Sequence, residues 1–576
     1  MGYSQKLVAA AAVSVLVLAA CGSDDDSGGS DASDGVESSA PAGRPEDSAA
    51  APDGATTTDS VGASDDAEVP AQTDPSVSDA SSIGVGRSSV PLADDYDESG
   101  TFTWAYTVPV SSFDPHRGVS GFDQNWLFPV YDRLVYSAPD GGLEPMLATD
   151  WRIVDDGLGI EMDIREGVVF HDGTPLDAAA VKANLDRARS DEQSVLLSSL
   201  AELAGVEVLD EFTVKLTLTG GLGPMLSTLA DRAGMIVSPA AFDSQDLATQ
   251  PVGTGPYMVE ENRLGDRVIY TQFPDYWDPE VQRTAKIEFR VMVDDQTRLN
   301  ALQANEIDMA LVRQNQVGIA QDAGLEILAG NTPTFYNLSL NAAMPPFDDA
   351  NVRLALQHAM DRALLSDALF DGLCTAQIQY WPAGSFAYDP ALGSGLEVWD
   401  YNPDKAVQLL EEAGFPDGIE FTVIVPSITG FQSIAEVLQD QFSEVGVTMN
   451  IRVVEAAQVS EEFLVAKSAE ASIGSYAPSP DPDGVMTRLL LPDALGNPGN
   501  LSSDEVVALA AEAASLVDTD ERAEVYHELT QALIDLVPHS TPVCMQVRTE
   551  AFQPGVSGLD IYASGARDYR GVAVGS

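Results

Sequence analysis

Residues 147–188 read LATDWRIVDDGLGIEMDIREGVVFHDGTPLDAAAVKANLDRA, and this stretch decides the fold class. Asp150-Trp151 leads through the turn residues Asp155-Asp156-Gly157 into Ile160-Glu-Met162-Asp-Ile164. That alternation predicts a strand with its apolar side chains on one face. After a turn at His171-Asp172-Gly173-Thr174-Pro175, an apolar-periodic helix is expected from about Asp177, with Val181, Leu185 and Ala188 on its buried face. Strand, turn and helix in short succession point to mixed α/β structure. Further out, Phe102-Thr-Trp104-Ala-Tyr106 alternates as a strand should, and Val214, Leu216 and Leu218 mark another.

The chain has 576 residues and 44% hydrophobic content. A single core stops growing near ~250–300 residues, so more than one lobe is expected. Its formal net charge of −61 excludes a general nucleic-acid binder and makes an anionic bilayer surface a poor partner. At the N-terminus, Lys6 precedes the apolar run Leu7 to Ala20. Fourteen residues at ~1.5 Å rise fall short of a ~30 Å hydrocarbon core, so 1–20 reads as a secretory signal. Leu18-Ala19-Ala20-Cys21 resembles a bacterial lipobox, which implies cleavage before Cys21 and a lipid thioether on it. Between 22 and 100 there are 19 Asp or Glu against Arg44 and Arg87, with no aromatic residue before Tyr96. Such a segment buries too little apolar surface to offset ordering entropy, so 21–100 is expected to be a disordered acidic tether.

The quoted stretch resembles the signature segment of the family 5 extracellular solute-binding proteins, the peptide and nickel receptors of ABC importers. The likeness continues in order along the chain. Gly253-Thr254-Gly255-Pro256-Tyr257, Pro274-Asp-Tyr276-Trp277, Asn305-Glu306-Ile307-Asp308, Asn351 to Arg362, Tyr401 to Gly414 and Asp520 to Tyr526 each resemble a family segment. It implies a two-lobed, type II periplasmic-binding-protein-like fold with an extra subdomain and a ligand cleft between the lobes. The corresponding boundaries are 101–124, 236–340 and 536–576 for lobe I, 125–235 for the subdomain and 341–535 for lobe II. It further implies an extracytoplasmic, lipid-anchored receptor, monomeric, that takes a small organic solute, peptide-like, and hands it to permease subunits.

Read from the residues alone, several of these motifs are structural. Asn402 is an N-cap, Pro403 suits the first helical position and Gly414 a left-handed C-cap. Gly253-Thr-Gly255 reads as a tight turn, since no P-loop Lys follows. There is no GxSxG, HExxH or Walker A motif, and the five histidines are dispersed, so neither a catalytic centre, nor a metal, nor a cofactor is expected. A secreted hydrolase and an envelope sensor or scaffold with the same fold are the competing functions. Candidate cleft residues are Tyr106, Phe113 and Asp114 after the first strand, and Ser427, Thr429 and Phe431 after the strand Phe421 to Val425. Tyr380 and Trp381 lie in a Pro-rich crossing, and Tyr476, Asp481 and Asp483 in a loop resembling the family's ligand-facing one. In peptide receptors an Asp in that loop pairs with the α-ammonium; here Pro478 takes its place. Cys374 and Cys544 either pair or stand as two separate buried thiols.

Overall fold

In the computed structural model, the described residues are 87–575, apart from 245, 429, 477, 478, 480, 563 and 564. The signal segment, Cys21 and most of the acidic segment lie outside them. Of the expected tether, 87–100 is joined to the body. Ser89–Val90 pairs antiparallel with Leu559–Asp560, and Arg87 donates its backbone N–H to the Ile327 carbonyl at 3.2 Å. The folded part therefore begins before Thr101.

The stretch from which the reading began folds as its periodicity requires. Gly159–Ile164 buries Ile160, Met162 and Ile164, each contributing about 1.5–3 kcal/mol by removing apolar surface from water. Asp177 caps the helix Ala178–Ser190 by accepting from the Ala180 N–H at 2.7 Å. Val181, Leu185 and Ala188 are fully buried on its inner face. The strands Ala148–Val154, Gly159–Ile164, Thr213–Leu218 and Leu203–Asp210 form, in that order, an antiparallel sheet that makes the core of the extra subdomain. Its buried residues are continuous with those of the first lobe, from Phe102 and Trp104 to Phe289.

Among the described residues, eleven strands form one sheet that runs through both lobes. On the first-lobe side, Thr101–Tyr106 lies between Lys286–Val291 and Met309–Leu311, parallel to both. On the other, Ile419–Pro426 is flanked by Val447–Val454 and Ala471–Tyr476. Two long antiparallel strands, Glu326–Leu340 and Ser540–Phe552, join the halves. Their outer halves pair from Glu326 with Phe552 to Asn331 with Val547, and their inner halves from Phe335 with Met545 to Ser339 with Ser540.

Between those halves the register shifts at Asn331/Phe335, where Thr332-Pro333-Thr334 interrupts the ladder. Pro333 has no N–H to donate, so the break falls there. Ile327, Ala329, Val547 and Ala551 pack in the core around Leu299 and Leu302, whereas Leu338, Leu340 and Val543 pack with Phe421 and Val423. The two long strands thus change the core they pack in near 332–334 and 546.

The structural motifs resolve as contacts. The Asn402 side chain accepts from the Lys405 N–H at 3.1 Å, and Gly414 adopts φ 91°. Gly255 is required for close approach, since a Cβ there would lie 2.4 Å from the Val130 carbonyl carbon. The His171 ring bonds the Gly255 carbonyl oxygen at 2.9 Å, tying two motifs together.

Candidate binding cleft

A cleft is lined by Tyr380, Trp381, Pro382, Ser385 and Phe386 together with Tyr476, Ser479, Asp481 and Pro482. Pro333, at the strand crossing, and Ser137 and Gly141 of a subdomain hairpin complete the lining. The room left inside the cleft is about 40 Å³, enough for a few waters. Its walls therefore come from the subdomain, the crossing and the second lobe at once. That is where a pocket can be concave, largely apolar and closable.

Buried amides shape the lining at 380–386. Gln377 donates to the Gln379 and Trp381 carbonyls at 2.9 and 2.8 Å, and Gln379 donates to the Asp389 and Gly393 carbonyls at 2.9 and 2.6 Å. Without those donors the irregular backbone would carry unmet carbonyls in a buried setting. The Trp381 indole N–H donates to the Pro482 carbonyl at 3.1 Å, and its ring meets Tyr526 edge-on at 5.0 Å. Tyr476 stacks on Phe335 at 5.1 Å between ring centres, so this part of the lining leans on the crossing strand itself. The Tyr476 hydroxyl is buried and has no hydrogen-bond partner among the described residues.

Asp481 is not free to meet a cation. Arg522 donates to both of its carboxylate oxygens, at 2.9 and 2.8 Å, and Ser227 donates to Oδ2 at 2.6 Å. Burial alone would raise the Asp481 carboxyl, but the Arg522 charge and these hydrogen bonds outweigh it and hold it below the usual range. At Asp483 the Arg522 charge is outweighed. Burial, together with the Asp481 charge beside it, pushes its carboxyl up to about 6. Arg522 also donates to the Ala513 carbonyl at 3.0 Å and lies 5.1 Å from the centre of the Phe386 ring.

Of the expected cleft residues, the structure brings together Tyr380, Trp381, Tyr476 and Asp481, with Asp483 directly behind Asp481. Tyr106, Phe113 and Asp114 are placed elsewhere. Tyr106 stacks on Trp104 at 4.5 Å within the first-lobe core, and Phe113 is wholly buried against Tyr270. The Asp114 carboxylate accepts from Arg187 of the subdomain helix, whose charge outweighs burial and keeps the carboxyl low. The segment turns inward because its aromatic side chains find apolar neighbours and its acid finds a cation. Phe431 packs edge-on to Tyr336 at 5.4 Å, inside the second lobe. Ser427 lines a different hollow, with Pro426, Ile428 and Gly430, that shares no lining residue with the cleft. Thr429 lies outside the described residues.

Cys374 and Cys544 are joined in a disulfide, with Cα atoms 5.5 Å apart. It ties the short edge strand Cys374–Thr375 to the crossing strand, where Cys374 pairs with Gln546. Pro333, Phe386, Ser137, Arg522 and Ser227 were missed from the sequence. Only Pro333, a proline inside an extended run, left a local signal.

A model of the bacterial extracellular solute-binding proteins, family 5, matches residues 142–497. The glutathione-binding protein GsiB of Salmonella paratyphi A is 30% identical over 433 residues, covering 73% of this chain and 84% of that protein. Among solved structures, HbpA2 from Haemophilus parasuis superimposes with a TM-score of 0.75 at 24% identity, over 83% of this chain and 100% of its own. The ABC transporter substrate-binding protein CtaP from Listeria monocytogenes gives 0.72 at 23%, with coverage of 83% and 100%. Those two likenesses carry the two-lobed fold, and the match of sequence carries the family. The chain belongs to the bacterial extracellular solute-binding proteins of family 5.

Proposed function

We propose that this protein is the extracytoplasmic receptor of an ABC importer, held at the membrane through a lipid on Cys21, and that it encloses a small peptide-like solute in the cleft between Trp381 and Tyr476. One observation supports this most strongly. Lining from the subdomain and from the second lobe meets at Pro333, where the connecting strands lose register, so bending there moves the two sides of the same cleft. Binding energy realised only in the shut form then shifts the population toward it, and a permease reads the shape.

The lining narrows the chemistry. Asp481 is already neutralised by Arg522, so a solute ammonium gains no unpaired carboxylate from it, and burying such a charge unpaired would be costly. Flat faces on Tyr380, Trp381 and Phe386, with hydroxyls on Ser137, Ser385 and Tyr476, suit a compact solute carrying amide or hydroxyl groups. The name of the Salmonella relative makes glutathione, a tripeptide, the first solute to try. Delivery to permease subunits as a monomer completes the reading.

Solute released by denaturing the natively purified protein should be identifiable by mass spectrometry. Added at about a hundred times its dissociation constant, it should stabilise the protein by about 2.7 kcal/mol, or a few degrees in melting temperature. If nothing is released, and glutathione and a panel of di- and tripeptides all leave the melting temperature unmoved, the reading fails.

A further inference from the structure

The helix Leu222–Leu229 of the subdomain lies against the second lobe at a surface that the connecting strands do not require. Ser227 donates to Asp481 across it, and both side chains are buried. Four residues earlier on the same face, Gly223 comes so close that a Cβ there would lie 2.3 Å from the Leu516 carbonyl oxygen and 3.0 Å from the Arg522 guanidinium. Beside Leu516, Val517 packs against the joint core of the subdomain and first lobe. Apposition at this distance needs the lobes shut: any bend at 332–334 and 546 that parts them breaks the Ser227 bond and separates Gly223 from Leu516. Asp481 has the solute cleft on one side and this helix on the other.

We propose that Gly223 and Ser227 form a closure latch: without touching solute, they set how much of the receptor is shut, and so how tightly it binds. The proposal rests on the capture reading above. Its physical content is that apparent affinity is the affinity of the shut form multiplied by the fraction shut. Gly223 admits the backbone of the second lobe, and Ser227 adds a hydrogen bond to a carboxylate, stronger than one between neutral groups. Because Asp481 also lines the cleft, a solute that rests on the wall it belongs to stiffens the latch. The latch in turn fixes the wall that the solute meets. Ser227 and Gly223 are thus positioning residues for binding.

The test reads shape directly, without solute. Spin labels at Val208→Cys in the subdomain and Val465→Cys in the second lobe, both exposed positions, report the distance between them in the full chain. Ser227→Ala should lower the ratio of short to long distances about tenfold, the loss of one charge-assisted hydrogen bond. Gly223→Ala should abolish the short population while keeping the helix, since alanine favours it. Ser227→Thr, which retains the hydroxyl, should restore the ratio. Solute affinity should fall by the same factors as the shut fraction. Melting curves verify that each variant is folded, and Ser227→Ala carries the test if Gly223→Ala is not. Unchanged distances in both variants overturn the latch, as does a wild type that shows only long distances with and without solute. If the distances respond but no solute in the panel binds any form, the latch stands and the capture reading falls instead.

Discussion

Two segments of this protein look alike in sequence: each is a strand ending in a tyrosine, followed by a loop that carries an aspartate. After Thr101–Tyr106 come Phe113 and Asp114; after Ala471–Tyr476 come Asp481 and Asp483. The first is absorbed into the body and the second lines the cleft. Both leading acids are paired with an arginine from a helix, Asp114 with Arg187 and Asp481 with Arg522. What separates them is the rings. Tyr106 and Phe113 are packed into the core of the first lobe, whereas Tyr476, Tyr380 and Trp381 line the cleft. A paired carboxylate is therefore no mark of a binding site here. Rings that line a hollow shared by two regions of the fold are the better sign.

The largest effect should come from the ion pairs. Arg522→Met leaves a buried carboxylate without its counter-charge and should cost about 3–5 kcal/mol in urea unfolding. Arg187→Met should cost less, about 1–3 kcal/mol, because the Arg187 side chain is 13% exposed against 2% for Arg522 and water can take its place. Equal losses would remove the distinction in burial drawn between the two loops.

Asp483 has no counterpart in the first loop, and its acidity sharpens the contrast. Its carboxyl sits at about 6 when folded, above the usual 3.8. The native state thus holds the proton more tightly, and stability falls as pH rises from about 4 to 6. Asp483→Asn should be more stable than the parent at pH 7 by about 1–3 kcal/mol and show no such gain at pH 4. Melting curves at the two pH values decide it; a gain of the same size at both would mean the charge is not the cause.

Smaller still is the hydroxyl comparison. Tyr476→Phe should change stability by less than about 1 kcal/mol, because the group it deletes has no partner among the described residues. It should weaken solute binding about tenfold in calorimetry, while Tyr106→Phe leaves affinity alone. Affinity lost at Tyr106 rather than Tyr476 would reverse the assignment of the two loops. Ser427→Ala, in the separate hollow, should shift both stability and affinity by less than about 0.5 kcal/mol.

Local pattern carried much of the fold. The alternation at Ile160, Met162 and Ile164, the cap at Asp177 and the Asn402-Pro403 helix start are short-range signals, and short-range physics produces them. The cleft was legible only where a loop is rich in proline and aromatic residues, as at Tyr380 and Trp381. Ser227 was hidden inside an apolar helical run, and its partner lies 254 positions away. Arg522 read only as one letter of a helix motif, although its charge decides the state of Asp481. No periodicity encodes a pair of that kind. Pro333 is the opposite case: a proline inside an extended run is a local signal, but nothing local says that the strand it interrupts serves two cores.

That shared strand also sets which pairings are slow. Ser540–Phe552 pairs with Met309–Leu311 in the first lobe and with Glu326–Leu340 through both. Every one of those partners is distant in sequence, and pairings of that kind form slowly. The seam that joins the two halves of the central sheet is therefore late to close, whichever half folds first.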